Sequence, residues 1–453
     1  MKIKAKQKEE IWPQGMGQPS FPYSPAVKAG NWLFISGQSA SDLTTGLSEE
    51  AIVPESFPYY TSPLAKQSSY LYNRVNQIIE TAGFTPSNIV RANQWYKTKM
   101  AEGHYTIGDL TVDNKRYVEE KNRYFQLSPP STGIGVRQFL VKDALVEVDF
   151  TGYLPKAGEV VEEISAPDIP KPGIGFAEGF KVGNWLFISG DIATDWKGNW
   201  QQQGQEGEIH ALAPEVRTSN LFWGDVSIRL QTDYVLTKLS KVAEAAGTSL
   251  ENTVKAHVYL SDPADFVGFE EVWSKWFPDK LNAPARAIVP NVEIGAKGCR
   301  VEISLDILMP NAKREVLHGG WVPKSHEAPA IVAEDLVYMS GLMATDASGL
   351  ASEARIDPSL PYVGIPGKKQ MAFILKKAQN ILSNHDLQLN QMVKATLYFS
   401  DLSHFAGAME AWENTFGESE VKPALTIVEV NKELWVKGCH ILADFTFYDD
   451  KEE

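Results

Sequence analysis

Arg286 and Glu302 are the pair in this chain whose types and spacing invite catalysis: a guanidinium fork that can grip a carboxylate and a carboxyl group that can move a proton. They flank Glu293-Ile-Gly-Ala-Lys-Gly298, which reads as a hairpin turn with the midpoint, position 294, inside it. Residues directly across an antiparallel pair project from one face, so the reading places both groups in one environment. A plain cross-strand ion pair would fit the same spacing. Comparison along the chain argues for more, because the matching positions read as Thr132 with Glu147 earlier and Leu425 with Leu442 later. Where two leucines suffice to hold a sheet together, a charged pair has a further reason to be there.

That comparison is possible because the chain repeats itself. Asn31-Trp-Leu-Phe-Ile-Ser-Gly37 recurs as Asn184-Trp-Leu-Phe-Ile-Ser-Gly190 and, more loosely, as Asp335-Leu-Val-Tyr-Met-Ser-Gly341. A second landmark, Ile89 to Lys97, Thr253 to Leu260 and Met392 to Phe399, keeps step, as does a third at Pro130-Ser-Thr, Pro284-Ala-Arg and Pro423-Ala-Leu. The period is far longer than the roughly 20–50 residues of solenoid repeats and matches small domains.

Each copy must position its landmarks with the same elements. Trp185-Leu-Phe-Ile-Ser reads as a strand, Tyr234 to Gly247 as a helix with a glycine stop, Val254 to Leu260 as a strand, and Phe266 to Phe277 as an aromatic-rich helix begun by Asp262 and Asp265. Two strands, Arg286 to Val292 and Arg300 to Ile307, close the unit. The order is β-α-β-α-β-β, an α+β unit with an N-terminal strand or hairpin added. Helices then cover one face of the sheet, and the other two copies are the obvious cover for the opposite face. The expected architecture is an intramolecular pseudo-trimer, three sheets inward and helices outward. Proline-rich stretches at Pro155 to Pro172 and Pro310 to Pro329 read as linkers, giving domains 1–156, 157–311 and 312–453. Two insertions, Leu43 to Lys66 and Trp196 to Arg229 with Trp200 and Trp223, could roof a cleft or simply pin long loops.

With 453 residues and 43% apolar content, each copy can bury a core without staples. The two cysteines, Cys299 and Cys439, sit at matching places in Lys-Gly-Cys tripeptides and read as small buried residues in a reducing compartment. The N-terminus lacks a signal-peptide core, and no apolar run approaches the roughly 18 residues of a membrane helix, so a cytoplasmic protein without membrane partners is expected. A net charge of −14 disfavours nucleic acid. Eight scattered histidines and the absence of metal-ligand or phosphate-loop motifs give no support for a metal or a bound nucleotide.

Taken together, Tyr23 in Phe-Pro-Tyr-Ser-Pro-Ala-Val, Ser36-Gly37-Gln38, Gln231 opening a helix, Ala246-Gly247, Asp262 with Phe266, Pro284-Ala-Arg286 and Val301-Glu302-Ile303 resemble the motifs of the reactive intermediate deaminase (Rid, YjgF-like) family, three times over. The resemblance implies a chorismate-mutase-like fold, clefts between neighbouring units, and hydrolysis of enamines or imines to oxo compounds and ammonia without a cofactor. It implies that Arg286 grips a substrate carboxylate, and that Glu302 acts on water and the leaving amine, its proton affinity rising when the substrate cancels the arginine's charge. It also implies a partnership of Tyr23, Ser36 and Gly37 with Arg286, the second copy offering Phe176, Ser189 and Gly190. Glu147 is the alternative acid if that group comes across the interface. Three departures stand out: Thr132 and Leu425 in place of the arginine, Ile288 where a cysteine is usual, and Glu270 where an asparagine is usual. At most one family-type cleft is therefore expected.

Four functional classes follow: a deaminase of a carboxylate-bearing C–N substrate, a lyase or isomerase on the same fold acting on a specialised or aromatic metabolite, a non-catalytic small-molecule binder, and, least supported by the charge, an endoribonuclease. The particle is expected to be one chain acting as a pseudo-trimer, with pairing of such particles left open.

Overall fold

The computed structural model describes residues 8–57, 61–98, 108–171, 176–196, 212–218, 226–296, 298–319, 325–359 and 364–449. Trp200 and Trp223, and with them most of the Trp-rich insertion, lie outside the described residues. The three copies are three sheets, each backed by two helices. In the second unit the strands run, from one edge, Ala285–Val289, Thr253–Leu260, Val301–Leu308, Trp185–Ile192, Gly179–Val182 and Glu162–Ile164, with helices Val226–Ala245 and Phe266–Trp276 packed on the outer face. The first unit repeats this order with helices Pro63–Thr81 and Gly108–Tyr124, and the third with Pro366–Ser383 and Phe405–Phe416. The β-α-β-α-β-β order holds in all three. Among the described residues no helix is long and apolar enough to cross a membrane.

Burial explains the assembly. Each sheet packs one face on its own helices and turns the other toward the axis between the units, where Trp32, Phe34, Trp185, Phe187 and Tyr338 from all three copies form a shared core. Trp32 and Trp185 meet edge to face at 5.1 Å, an arrangement the ring quadrupoles favour. Around the axis three buried cations reach across the seams to three buried carboxylates: Arg91 to Asp306, Lys255 to Asp444 at 2.5 Å, and Lys394 to Asp149 at 2.5 Å. Removing either partner of such a pair strands a charge in the interior, so the ring penalises any wrong docking of the units. These contacts run first to second, second to third and third to first, which establishes the cyclic order.

Two local devices position the site strands. A glutamine on each first helix clamps the loop before the last strand: Gln231 donates to the Gly298 carbonyl and accepts from Arg300 N–H, and Gln370 does the same with Gly438 and His440. In the first unit Gln67 holds Asp143 and Leu145 in the same way. The Ser-Gly dipeptides sit where strand register slips, between Ile35 and Gln38 and between Ile188 and Asp191, and such bulges re-aim side chains.

The hairpin expected between Arg286 and Glu302 does not form. Thr253–Leu260 lies between their strands, pairing parallel with Ala285–Val289 through Ala256↔Arg286 and antiparallel with Val301–Leu308 through Tyr259↔Glu302. The reason is the helix Phe266–Trp276. A strand, a crossover helix and a second strand make parallel neighbours, which leaves the closing strand to the other side.

Candidate functional sites at the three seams

At every seam the serine of the Ser-Gly pair bridges two units. Its hydroxyl donates to a carbonyl of its own unit, Ser24, Ala177 or Ala328, and accepts a backbone N–H from the neighbour. The donors are Leu425 to Ser36 at 2.8 Å, Ser131 to Ser189 at 2.9 Å and Arg286 to Ser340 at 2.9 Å. Ser131, not Thr132, is therefore the counterpart of Arg286 and Leu425. The parallel register agrees, since Ala92, Ala256 and Ala395 pair with these three residues.

Arg286 consequently faces the third unit and not the first. Tyr23, Ser36 and Gly37 instead meet the strand of Leu425, so the expected partnership of Arg286 with those residues is corrected. The Arg286 side chain is wholly buried, 2.7 Å from Glu270 of its own unit and 3.1 Å from Glu327 of the third. His326 contacts Glu270 at 3.0 Å, Ser325 donates to Glu327, and the guanidinium lies against Phe269 and Trp273. Burial raises the Glu270 carboxyl, but Arg286 and the His326 N–H outweigh it and hold it below its ordinary range. Where an acid would face this arginine, Leu442 packs beside Gly341. The guanidinium is thus shared by two carboxylates, while its Nη1 has no hydrogen-bond partner. Ile288, in place of the expected cysteine, is buried nearby and its carbonyl accepts from the Trp435 indole.

Glu302 sits one seam away, between the first and second units, so it does not share an environment with Arg286. Its Oε1 accepts from Gly133 N–H at 3.3 Å, and burial pushes its carboxyl up to about 8. Thr132 is 1% exposed and its Oγ1 has no hydrogen-bond partner. Both groups crowd Gly190: a Cβ there would lie 2.3 Å from Glu302 Oε1 and 2.9 Å from Thr132 Oγ1, so only glycine leaves this space to them. Ser189 bonds to Ser131 as described, and Phe176, half-buried, precedes Ala177, whose N–H reaches the Ser128 carbonyl.

The seam between the third and first units is built alike and closed. Glu147 Oε1 accepts from Ile427 N–H at 3.4 Å, and burial pushes this carboxyl also to about 8. Here the residue matching Thr132 is Thr426, whose hydroxyl accepts from Gly37 N–H and donates to Asp149, so nothing is left over. Tyr23 is buried, accepts from Gln38 and packs against Phe21 and Trp12, while Trp412 of the third unit donates to the Pro22 carbonyl. No seam unites the arginine with the acid.

The functional residues missed from sequence are Thr132 as an orphan hydroxyl and Ser131 as the arginine's counterpart. Doubled prolines at Pro129-Pro130 were the available signal for both, since aligning Pro129 with Pro284 brings Ser131 into register.

Comparison with known proteins places these seams in context. The family model described as Endoribonuclease L-PSP matches residues 16–153, 167–308 and 324–437. A RutC family protein of Saccharolobus solfataricus is 37% identical over 128 residues, 28% of this chain and 82% of that protein. A protein of Dermatophagoides farinae named 2-iminobutanoate/2-iminopropanoate deaminase is 27% identical over 140 residues, covering 31% and 90% of the two chains. The crystal structure of RidA from a Psychrobacter species is 27% identical over 33% of this chain and 99% of that one, with a TM-score of 0.24.

Proposed function

Given that this chain belongs to the endoribonuclease L-PSP (Rid, YjgF-like) family in three fused copies, we propose that it is a hydrolytic deaminase of imines or enamines working in the seam between its first and second units. The observation that carries the reading is a buried carboxyl, Glu302, beside an unpartnered hydroxyl, Thr132, both packed against Gly190 where a side chain would displace them. With a pKa of about 8, Glu302 holds its proton at neutral pH and yet can release it, as a general acid that later acts as a base requires. The acid protonates the imine nitrogen. Its carboxylate then takes a proton from the attacking water as the C–O bond forms, and returns it to the amine of the carbinolamine. The hydroxyl proton goes back to Glu302 as the C–N bond breaks, releasing ammonia and the carbonyl product. Thr132 Oγ1 and Gly133 N–H are the donors at hand to orient substrate or water. The enzyme would work as one chain per particle, in the cytoplasm and without a cofactor.

Ammonia release above the spontaneous rate, from freshly generated 2-aminoacrylate and from N-unsubstituted ketimines, tests this. The native protein and Arg286→Ala should both accelerate at least one of these, and Glu302→Gln should not. Full activity in Glu302→Gln sinks the reading. The separation of arginine from acid favours one other reading, a non-catalytic binder. It predicts ligand-induced thermal stabilisation with no ammonia from any protein.

A further inference from the structure

Where the inner faces of the three sheets meet, they enclose a chamber of about 30 Å³, and every unit contributes to its wall. Aromatic rings bound it: Phe34, Phe187 and Tyr338, together with Tyr259 and Tyr398, whose hydroxyls lie 3.3 Å apart. Between these rings the wall is polar. Strand register identifies matching positions in the three units, Thr151, Asp306 and Thr446 in one set and Asn93, His257 and Thr396 in another. Three identical chains would repeat one residue at each position. Fused copies need not, and in the first set the carboxylate stands in one unit while the other two carry hydroxyls.

Charges around the chamber are matched one to one. Arg91 meets Asp306, Lys255 meets Asp444 and Lys394 meets Asp149, and His257 lies 3.1 Å from Asp444. Hydrogen bonding is not matched. Among the described residues the hydroxyls of Thr151, Thr396 and Thr446 have no partner within the protein. The Lys394 ammonium, with three N–H bonds, uses one of them on Asp149 at 2.5 Å. Asn93 Oδ1 and His257 Nδ1, in the same wall, are also unpartnered.

We propose that this chamber is a binding site for ordered water, a cluster that joins the three units at their axis through the hydroxyls of Thr151, Thr396 and Thr446 and the Lys394 ammonium. The volume suits about two molecules, each of which needs two to four polar partners. An ion would bring an unmatched charge into an interior whose cations and carboxylates already pair. An apolar guest would leave the hydroxyls unmet. Water both donates and accepts, as the mixture of unmet donors and acceptors requires. The site lies on the axis and not in a seam, so it stands apart from the deaminase reading.

The sign of a stability change tests this on the full chain. Thr151→Val, Thr396→Val and Thr446→Val, made together, exchange three hydroxyls for methyl groups of the same shape. Around bound water the exchange strips the cluster of its partners and strands Lys394, so the triple variant should melt lower by about 2–4 °C or more. In a dry chamber the same exchange removes unmet polar groups, and the variant should melt higher. A high-resolution crystal structure of the native protein, grown with sodium bromide, supplies the second measurement: water peaks within hydrogen-bond distance of the three threonines and Lys394 are expected. Higher melting of the triple variant overturns the inference, as does an anomalous bromide peak in the chamber or a chamber without density. Should the triple variant not fold, the native crystal alone decides.

Discussion

The seam of Arg286 and the seam of Glu302 are built by equivalent strands yet have opposite electrostatic designs. At the first, a buried cation is held by two carboxylates and two aromatic faces, so its charge is met within the protein. At the second, a carboxyl is buried with one N–H and no ion pair, so it balances itself by keeping its proton. The lesson is that a buried charge and a buried proton are alternative solutions to one desolvation problem, and only the second leaves something transferable to chemistry.

The largest expected effect separates the seams by activity. Glu302→Gln should lower ammonia release by roughly 10²–10⁴-fold, as for loss of a general acid–base, with Arg286→Ala near native. Steady-state ammonia assays check this, and equal losses would abolish the contrast. Next comes stability. Arg286→Ala should cost about 3 kcal/mol in urea unfolding, because the partly buried Glu270 and Glu327 are left without their cation, whereas Arg286→Met combined with Glu270→Gln and Glu327→Gln should restore most of the loss.

A third prediction concerns pH. Burial raises Glu147 and Glu302 from 4.5 to about 8 in the folded protein, so between these values the unfolded chain ionises first. Stability should fall as pH rises from about 4.5 toward 8, and Glu147→Gln with Glu302→Gln should flatten that slope in melting curves recorded across the range. The smallest effect is on the third unit. The Arg300–Asp265 ion pair of the second unit is matched there by His440 and His404, stacked at 3.8 Å. Burial holds both imidazoles below their ordinary value of 6.5, so the stability they contribute is lost as pH falls through the acid side of 6.5. His440→Arg with His404→Asp should weaken the acid sensitivity of melting, and an unchanged acid limb would refute the link.

Much of the fold could be read in advance. Ser-Gly marks at matching places in the three copies gave the units, and apolar periodicity gave helices ending where Gly247 takes a positive φ of 84°. Inward sheets followed from the need to bury a second face. The site was less legible, for physical reasons. Strand order depends on the handed crossover of Phe266–Trp276, so sequence proximity of Arg286 and Glu302 said nothing about shared space. The choice of neighbour was decided by contacts such as Lys394 with Asp149, which lie far apart in the chain and leave no local pattern. Thr132 in place of Ser131 was a one-residue slip, and in a strand such a slip exchanges the two faces.

The bond from Leu425 N–H to Ser36 joins residues 389 positions apart. At roughly 5–20 residues per second, the first unit leaves the ribosome about 13–54 seconds before the strand that carries Leu425 has been made. Through that interval Trp32 and Phe34, wholly enclosed in the finished molecule, have no partner from the third unit. Synthesis itself thus includes a waiting period, during which this chain is a natural client for whatever shields nascent apolar sheets in the cell.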